Sequence, residues 1–208
     1  MSGRGPRWIS VKRRTLLGDM ELGTLVKLNE NGTPAEFYVA CHNYEAGLNG
    51  NGRTLVVRKD CYDMHKFSNQ KSSYAHSDLN AFLVGTYFNL LDAGVREMVG
   101  TTKFYSTDAP TLERSVFQLS VTELKGSGSG AQKEGSILPI SSLLSVAHLN
   151  GSGNPQWTRT PFTSFPGFVH CLDNRGQVSA LGFNNLCGSR PAFTLPASTL
   201  VGDDLLIA

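Results

Sequence analysis

Between Trp157 and Phe193 the chain satisfies neither helical nor strict strand periodicity, and that irregular stretch constrains the fold more than any other. Rigid residues bracket it: Trp157, Arg159 and Pro161 at one end, Gly188, Arg190, Pro191 and Phe193 at the other. The prolines restrict the backbone, the two aromatics can anchor a small core, and Arg190 offers a planar five-donor fork able to tie several loop carbonyls together. These residues, with Gly176, are read as scaffold. Between them lie Phe162, Phe165, Phe168, His170, Arg175, Leu181, Phe183 and Leu186, interrupted by glycine, proline and asparagine that favour surface loops. Large apolar side chains on surface loops lower solubility unless they touch something, so the set reads as a binding face. The competing reading makes individual members core residues beneath a long loop. Thr163, Ser164, Gln177, Ser179 and Asn184 complete the candidate ligand-binding set.

At 208 residues the chain suits one domain with a sizeable core, or two small ones. It is light in charge (17%) and rich in glycine (22 residues), which favours loops and short strands over long surface helices. The net charge is +2, but Arg4, Arg7, Lys12, Arg13 and Arg14 precede any acidic residue and leave the rest at −3. A body of that sign argues against nucleic-acid binding, and residues 1–15 read as a basic tail or linker. Arg13-Arg14 is followed by too short an apolar run for a signal peptide, and no stretch approaches a membrane span. The expectation is a chain made in the cytoplasm that stays there or leaves without a signal peptide, as by assembly into a phage particle. Without export, the four cysteines are expected to be free thiols.

Leu22 to His42 reads as a β-hairpin turned by Asn31-Gly32, and Thr54 to Val57 as a third strand. Ser77 looks like an N-cap for a helix reaching about Leu91, with a second helix over Ala93 to Val99. Ser115 to Leu119 is expected as a strand, and Ser120-Val121-Thr122-Glu123 has capping-box spacing. Residues 126–135, rich in glycine and serine, read as a flexible inserted loop. Ile140 to His148 is expected to be a last short helix, followed by strands at Gly167 to Leu172, Gln177 to Leu181 and Ala192 to Leu195. The pattern is α+β with one mixed core over residues 16–208.

Four segments together carry a family resemblance: Leu28-Asn-Glu-Asn-Gly-Thr-Pro-Ala-Glu-Phe-Tyr-Val39, Leu55-Val-Val-Arg-Lys-Asp-Cys-Tyr-Asp63, Leu112 to Leu124, and Trp157-Thr-Arg-Thr-Pro161 through Gly188-Ser-Arg-Pro-Ala-Phe193. They resemble an uncharacterised domain family of Gram-positive gut bacteria and their phages, over about Leu16 to Ala197. The carboxy-terminal part is similar to the C-type-lectin-like fold of formylglycine-generating enzymes. Relatives of that fold serve as ligand-binding tips of phage tails and as variable proteins of diversity-generating retroelements. The resemblance implies a non-enzymatic receptor-binding domain at the tip of a phage or prophage tail, with a host-cell surface protein or glycan as partner. It also allows a homo-oligomer (a trimer) or a tail-protein partner. The alternatives are a bacterial variable or adhesion protein using the same face, and a structural baseplate or fibre module without a ligand. Members commonly carry asparagine, serine or tyrosine where this chain has Phe168, His170, Cys171, Arg175, Leu181, Phe183 and Leu186, a departure that retroelement diversification would leave and ordinary drift could also produce.

Catalytic and metal chemistry find little support in the residues. Cys41, His42, Cys61 and His65 contain soft ligands, yet Cys41 and His42 are adjacent on a predicted strand and point to opposite faces. His170-Cys171 has the same difficulty as a nucleophile–base pair. Cys171 and Cys187 do not reproduce the copper-holding cysteine pair of the formylglycine-generating enzymes. The glutamate-proline-asparagine and tryptophan-asparagine-aspartate signatures of calcium-type lectins are absent. The expectation is therefore no catalytic residue, no metal and no cofactor.

Overall fold

The Asn31-Gly32 turn, with φ of 50° and 73°, closes the first hairpin as its sequence demands. A computed structural model describes residues 14–207, and the basic tail expected over 1–15 lies outside them up to residue 13. The first strands are β1 (Thr15–Leu16), β2 (Leu25–Glu30), β3 (Thr33–His42), β4 (Arg53–Arg58) and β5 (Asp63–Lys66). After the first helices come β6 (Thr102–Tyr105) and β7 (Thr111–Arg114), then β8 (Ala147–Leu149), β9 (Ser152–Asn154), β10 (Gln156–Pro161), β11 (Phe168–Leu172) and β12 (Val178–Gly182). The last are β13 (Leu186–Ser189), β14 (Ala192–Pro196), β15 (Leu200–Val201) and β16 (Leu206–Ile207). One sheet runs β14-β4-β3-β2-β16 and the other β12-β11-β10-β13-β5. The fold is strand-rich, with a few short helices, and falls in the α+β class.

Short helices cover the sheets: α1 (Ala46–Asn49), α2 (Asp78–Phe82), α3 (Phe88–Leu90), α4 (Ala93–Met98), α5 (Val121–Lys125) and α6 (Ser141–Ser145). The Ser77 hydroxyl caps α2 by accepting from Asn80 N, and Leu83–Tyr87 continues it as a π-helical turn into α3. The capping box of Ser120 and Glu123 is present on α5. Both sheets feed one apolar cluster that includes Phe37, Val56, Phe67, Tyr74, Phe117, Trp157 and Phe193. Among the described residues no helix is long and apolar enough to cross a membrane.

Three expectations need correction. Ser115 to Leu119 is no strand: only Phe117 makes a bridge, to Ala192, and the strand lies earlier, at β7. The segment crosses the interior, where distant backbone and side-chain groups satisfy it: Phe117 exchanges bonds with Ala192, Arg159 N donates to Leu119 O, and Gln118 N donates to Tyr74 Oη at 2.9 Å. The last helix stops at Ser145, and the chain then forms the β8–β9 hairpin about Asn150-Gly151. Both turn residues have positive φ, 52° and 78°, the same signal that closes the first hairpin.

The third concerns 126–135, which is not a solvated insert. Glu134 is fully buried and accepts from Thr107 N at 2.6 Å and Thr160 Oγ1 at 2.5 Å. Its own backbone donates to Thr122 Oγ1 and accepts from Ser120 Oγ. The glycine-rich half lies over the second sheet: a Cβ on Gly130 would stand 2.2 Å from the Phe162 ring. Glycine is needed there for space as much as for flexibility.

Candidate functional site

Trp157, Arg159 and Pro161 lie on β10, the middle strand of the second sheet, and every residue of that strand is buried. Its polar composition hid it from a hydrophobic-pattern reading. The polarity is satisfied internally. Arg159 forks onto Glu123 at 2.7 and 3.0 Å with both side chains wholly buried. It also donates to Gln118 O and Tyr105 O, and its guanidinium lies 4.5 Å from the centroid of the Phe104 ring. Burial alone would lower its pKa, but Glu123 raises it overall. Tyr44 Oη donates a short hydrogen bond to the same carboxylate. Trp157 Nε1 donates to His65 O at 2.7 Å and meets Phe67 edge-on.

Arg190 ties chain segments together as its fork allows. It donates to Arg58 O, Lys59 O and Leu144 O at 2.8, 2.6 and 2.6 Å. Burial lowers its pKa to about 10, so the guanidinium stays charged at neutral pH. Gly188 has no room for a side chain, since a Cβ would stand 2.4 Å from Cys61 Sγ. Pro161, Gly176, Pro191 and Phe193 are buried as well.

Against this buried frame, one end of the second sheet carries large apolar side chains. Phe165 is 58% exposed and Phe168 is 43% exposed, while Phe162 and Phe183 are half-buried beside them; Leu186, also 58% exposed, lies instead on β13 opposite Lys66, toward the Gln156 end of β10. Ring centroids are 5.2 Å apart for Phe162–Phe165 and 6.4 Å for Phe165–Phe168. Backbone bonds fix the ledge: Phe162 N to Phe168 O, Phe165 N to Phe162 O and Phe168 N to Phe165 O, all 3.0–3.1 Å. Phe183 N donates to Gly167 O, and Thr163 N and Oγ1 both donate to Gly130 O. Thr163, Ser164 and Asn184 are exposed at this same end.

The remaining expected contact residues do not join them. Arg175 and Gln177 sit in the turn between β11 and β12, at the opposite end of the hairpin. Ser179 is exposed midway along β12, and Leu181 packs against the core. His170 is a correction: it is 2% exposed, and its ring lies 4.7 Å from Phe162 beneath the 126–135 segment. Neither ring nitrogen makes a hydrogen bond, although the backbones of Gly130 and Ser179 lie close by. It faces inward because Phe162 and the glycine-rich segment cover that side of β11, which composition alone did not reveal.

Burial lowers the His170 pKa, opposed by those backbone groups and by Glu134. An unfolded chain protonates this ring near about pH 6.5, whereas the buried ring resists the proton. The unfolded state then binds more protons below that pH, so stability falls as pH falls. His170→Gln is expected to flatten the melting-temperature profile between about pH 7 and pH 5. A slope unchanged by the substitution would remove His170 as its source.

No three of Cys41, His42, Cys61 and His65 converge as a metal site would need, among the described residues. His42 bonds Thr54 Oγ1 and Met20 O, and His65 stacks on Phe82. The thiols of Cys171 and Cys187 interact; burial and this bond raise the pKa of Cys187. All four cysteines are free.

The sequence reading gave no place in the site to Tyr44, Glu123 or Glu134. Only the capping box marked Glu123. The model of a family described as "Domain of unknown function (DUF6273)" matches residues 51–197, more than two thirds of the chain, so the chain belongs to that family. No curated protein and no solved structure matches it.

Proposed function

We propose that this DUF6273 member is a non-enzymatic binding domain of C-type-lectin-like type that meets its ligand with the phenylalanine-rich end of the second sheet. One observation carries the reading: Phe165 and Phe168 stand exposed together on a backbone-bonded ledge over a buried frame. An apolar group of that kind is costly in water and is found where proteins bind something. Aromatic side chains are also those that dominate binding hot spots.

The biological setting follows from the family resemblance. The domain acts as the host-recognition tip of a phage or prophage tail, and its ligand is a protein or glycan on the surface of a Gram-positive cell. A retroelement-diversified variable protein is compatible with the same site, because exposed positions can change with little loss of stability while the frame is held. The buried His170 supports the non-enzymatic reading, since its ring is closed off by Phe162.

Attachment of the fluorescently labelled chain to a panel of Gram-positive cells tests this. Phe165→Ser with Phe168→Ser is expected to weaken attachment by roughly thirtyfold or more, as loss of a hot spot of about 2 kcal/mol does. Equal attachment by the parent and the double variant would overturn the site.

A further inference from the structure

His170 is buried on β11, opposite Ala180 of β12, with Phe162 and the glycine-rich segment over its ring. Buried imidazoles ordinarily bond at least one nitrogen, and this one bonds neither. The backbones of Gly130 and Ser179 approach it without closing a bond. Its cover is lightly held at one end. Glu134 anchors the later half of 126–135 through Thr107 and Thr160. The earlier half bonds within itself, Ala131 N to Gly128 O, and outward through the Gly130 carbonyl to Thr163 N and Oγ1. Gly126, Gly128 and Gly130 give that half much conformational entropy to regain on opening. Thr163 in turn begins the stretch that carries Phe165 and Phe168, so one carbonyl joins the cover to the ledge.

We propose that His170 is an acid-operated release for the binding end: its protonation lifts residues 127–131 off Phe162, frees Thr163 and lets the ligand go. The release rests on the binding-end reading and adds regulation to it. A hydrated imidazole takes its proton near about pH 6.5. Burial resists that proton in the closed form, more strongly than the Gly130 and Ser179 backbones and Glu134 favour it. The opened form then binds more protons, so the closed form is favoured above about pH 6.5 and loses ground as pH falls. With the closed ring unprotonated, the ratio of open to closed rises roughly thirtyfold by about pH 5.

Few other charges intervene. Among the described residues, Glu134 is the charged group that acts on the ring, and it favours the proton. Lys133 is exposed, and β12 and residues 161–167 carry no charge. Arg159 of β10 is held by Glu123, and Cys171 turns to the opposite face of β11.

Hydrogen exchange of the full chain between about pH 7.5 and pH 5, corrected for intrinsic amide rates, tests the opening. The same labelled chain is assayed for attachment to Gram-positive cells over that range. The amides of Ala131 and Thr163 should lose most of their protection in acid, while Leu138 N, bonded to Glu123 O, keeps its own. An opening ratio of about one in ten at neutral pH becomes about three to one at pH 5, and attachment falls about threefold. His170→Gln and His170→Leu, each checked for folding by circular dichroism, should show protection and attachment that no longer depend on pH. Protection that is unchanged or rises in acid overturns the release, as does acid opening that persists in both variants, which would assign it to Glu134. Opening without any loss of attachment overturns it too. A chain that opens through His170 yet attaches to no cell at any pH would discard the binding-end reading and leave the proton-driven opening standing.

Discussion

Replacing Arg159 by alanine is expected to cost about 3–5 kcal/mol, as breaking one side of a buried ion pair does. The guanidinium is wholly buried, forks onto Glu123 and also holds the carbonyls of Gln118 and Tyr105. Its loss strands a buried carboxylate with Tyr44 Oη and Ser120 N as its remaining donors. Urea denaturation of Arg159→Ala, Glu123→Ala and the double variant Arg159→Met/Glu123→Leu measures the coupling. The double variant should be less damaged than the sum of the singles, because removing both charges leaves neither unpaired. Single-variant losses below about 1 kcal/mol would show that solvent reaches the pair.

Deleting residues 126–135 should lower stability by several kcal/mol, contrary to what their composition indicates. The deletion removes the buried Glu134 carboxylate that holds Thr107 and Thr160, the backbone bonds to Ser120 and Thr122, and the Gly130 carbonyl that anchors Thr163. Each stranded buried group costs about 1–3 kcal/mol. Glu134→Ala alone should reproduce much of the loss, whereas Lys133→Ala, at an exposed position, should stay within about 0.5 kcal/mol. Thermal melts of the three variants decide it. A deletion variant that melts with the parent would mean that the segment packs against nothing essential.

These two results mark where sequence reading ran out. Turn and cap chemistry is local, so Asn31-Gly32, Ser77 and the Ser120–Glu123 box were legible directly. β10 was not, because Thr158, Arg159 and Thr160 look like surface residues until Glu123 and Glu134 are known to lie beside them. Pairing between residues so distant in the chain leaves no periodic trace. Trp157 and Phe193 were legible as anchors because large aromatic side chains are mostly buried, and Arg190 because its fork can tie several carbonyls together. The contact set was only partly legible. Phe165 and Phe168 are exposed together, but Leu186 stands on β13 opposite Lys66, a hairpin separates Arg175 from the phenylalanines, and the 126–135 segment buries His170. Which face a strand residue takes depends on what covers the sheet, and that cover comes from a stretch that read as a loose loop.

The central claim is that Phe165 and Phe168 are kept for contact rather than for folding. The most direct test is a paired measurement on the double variant Phe165→Ser, Phe168→Ser: its thermal melt, and its attachment to cells that bind the parent chain. The account predicts a total stability change of no more than about 1 kcal/mol, the sum for two exposed positions, with attachment lost. A variant that unfolds, or one that melts like the parent and still attaches as well, would contradict it.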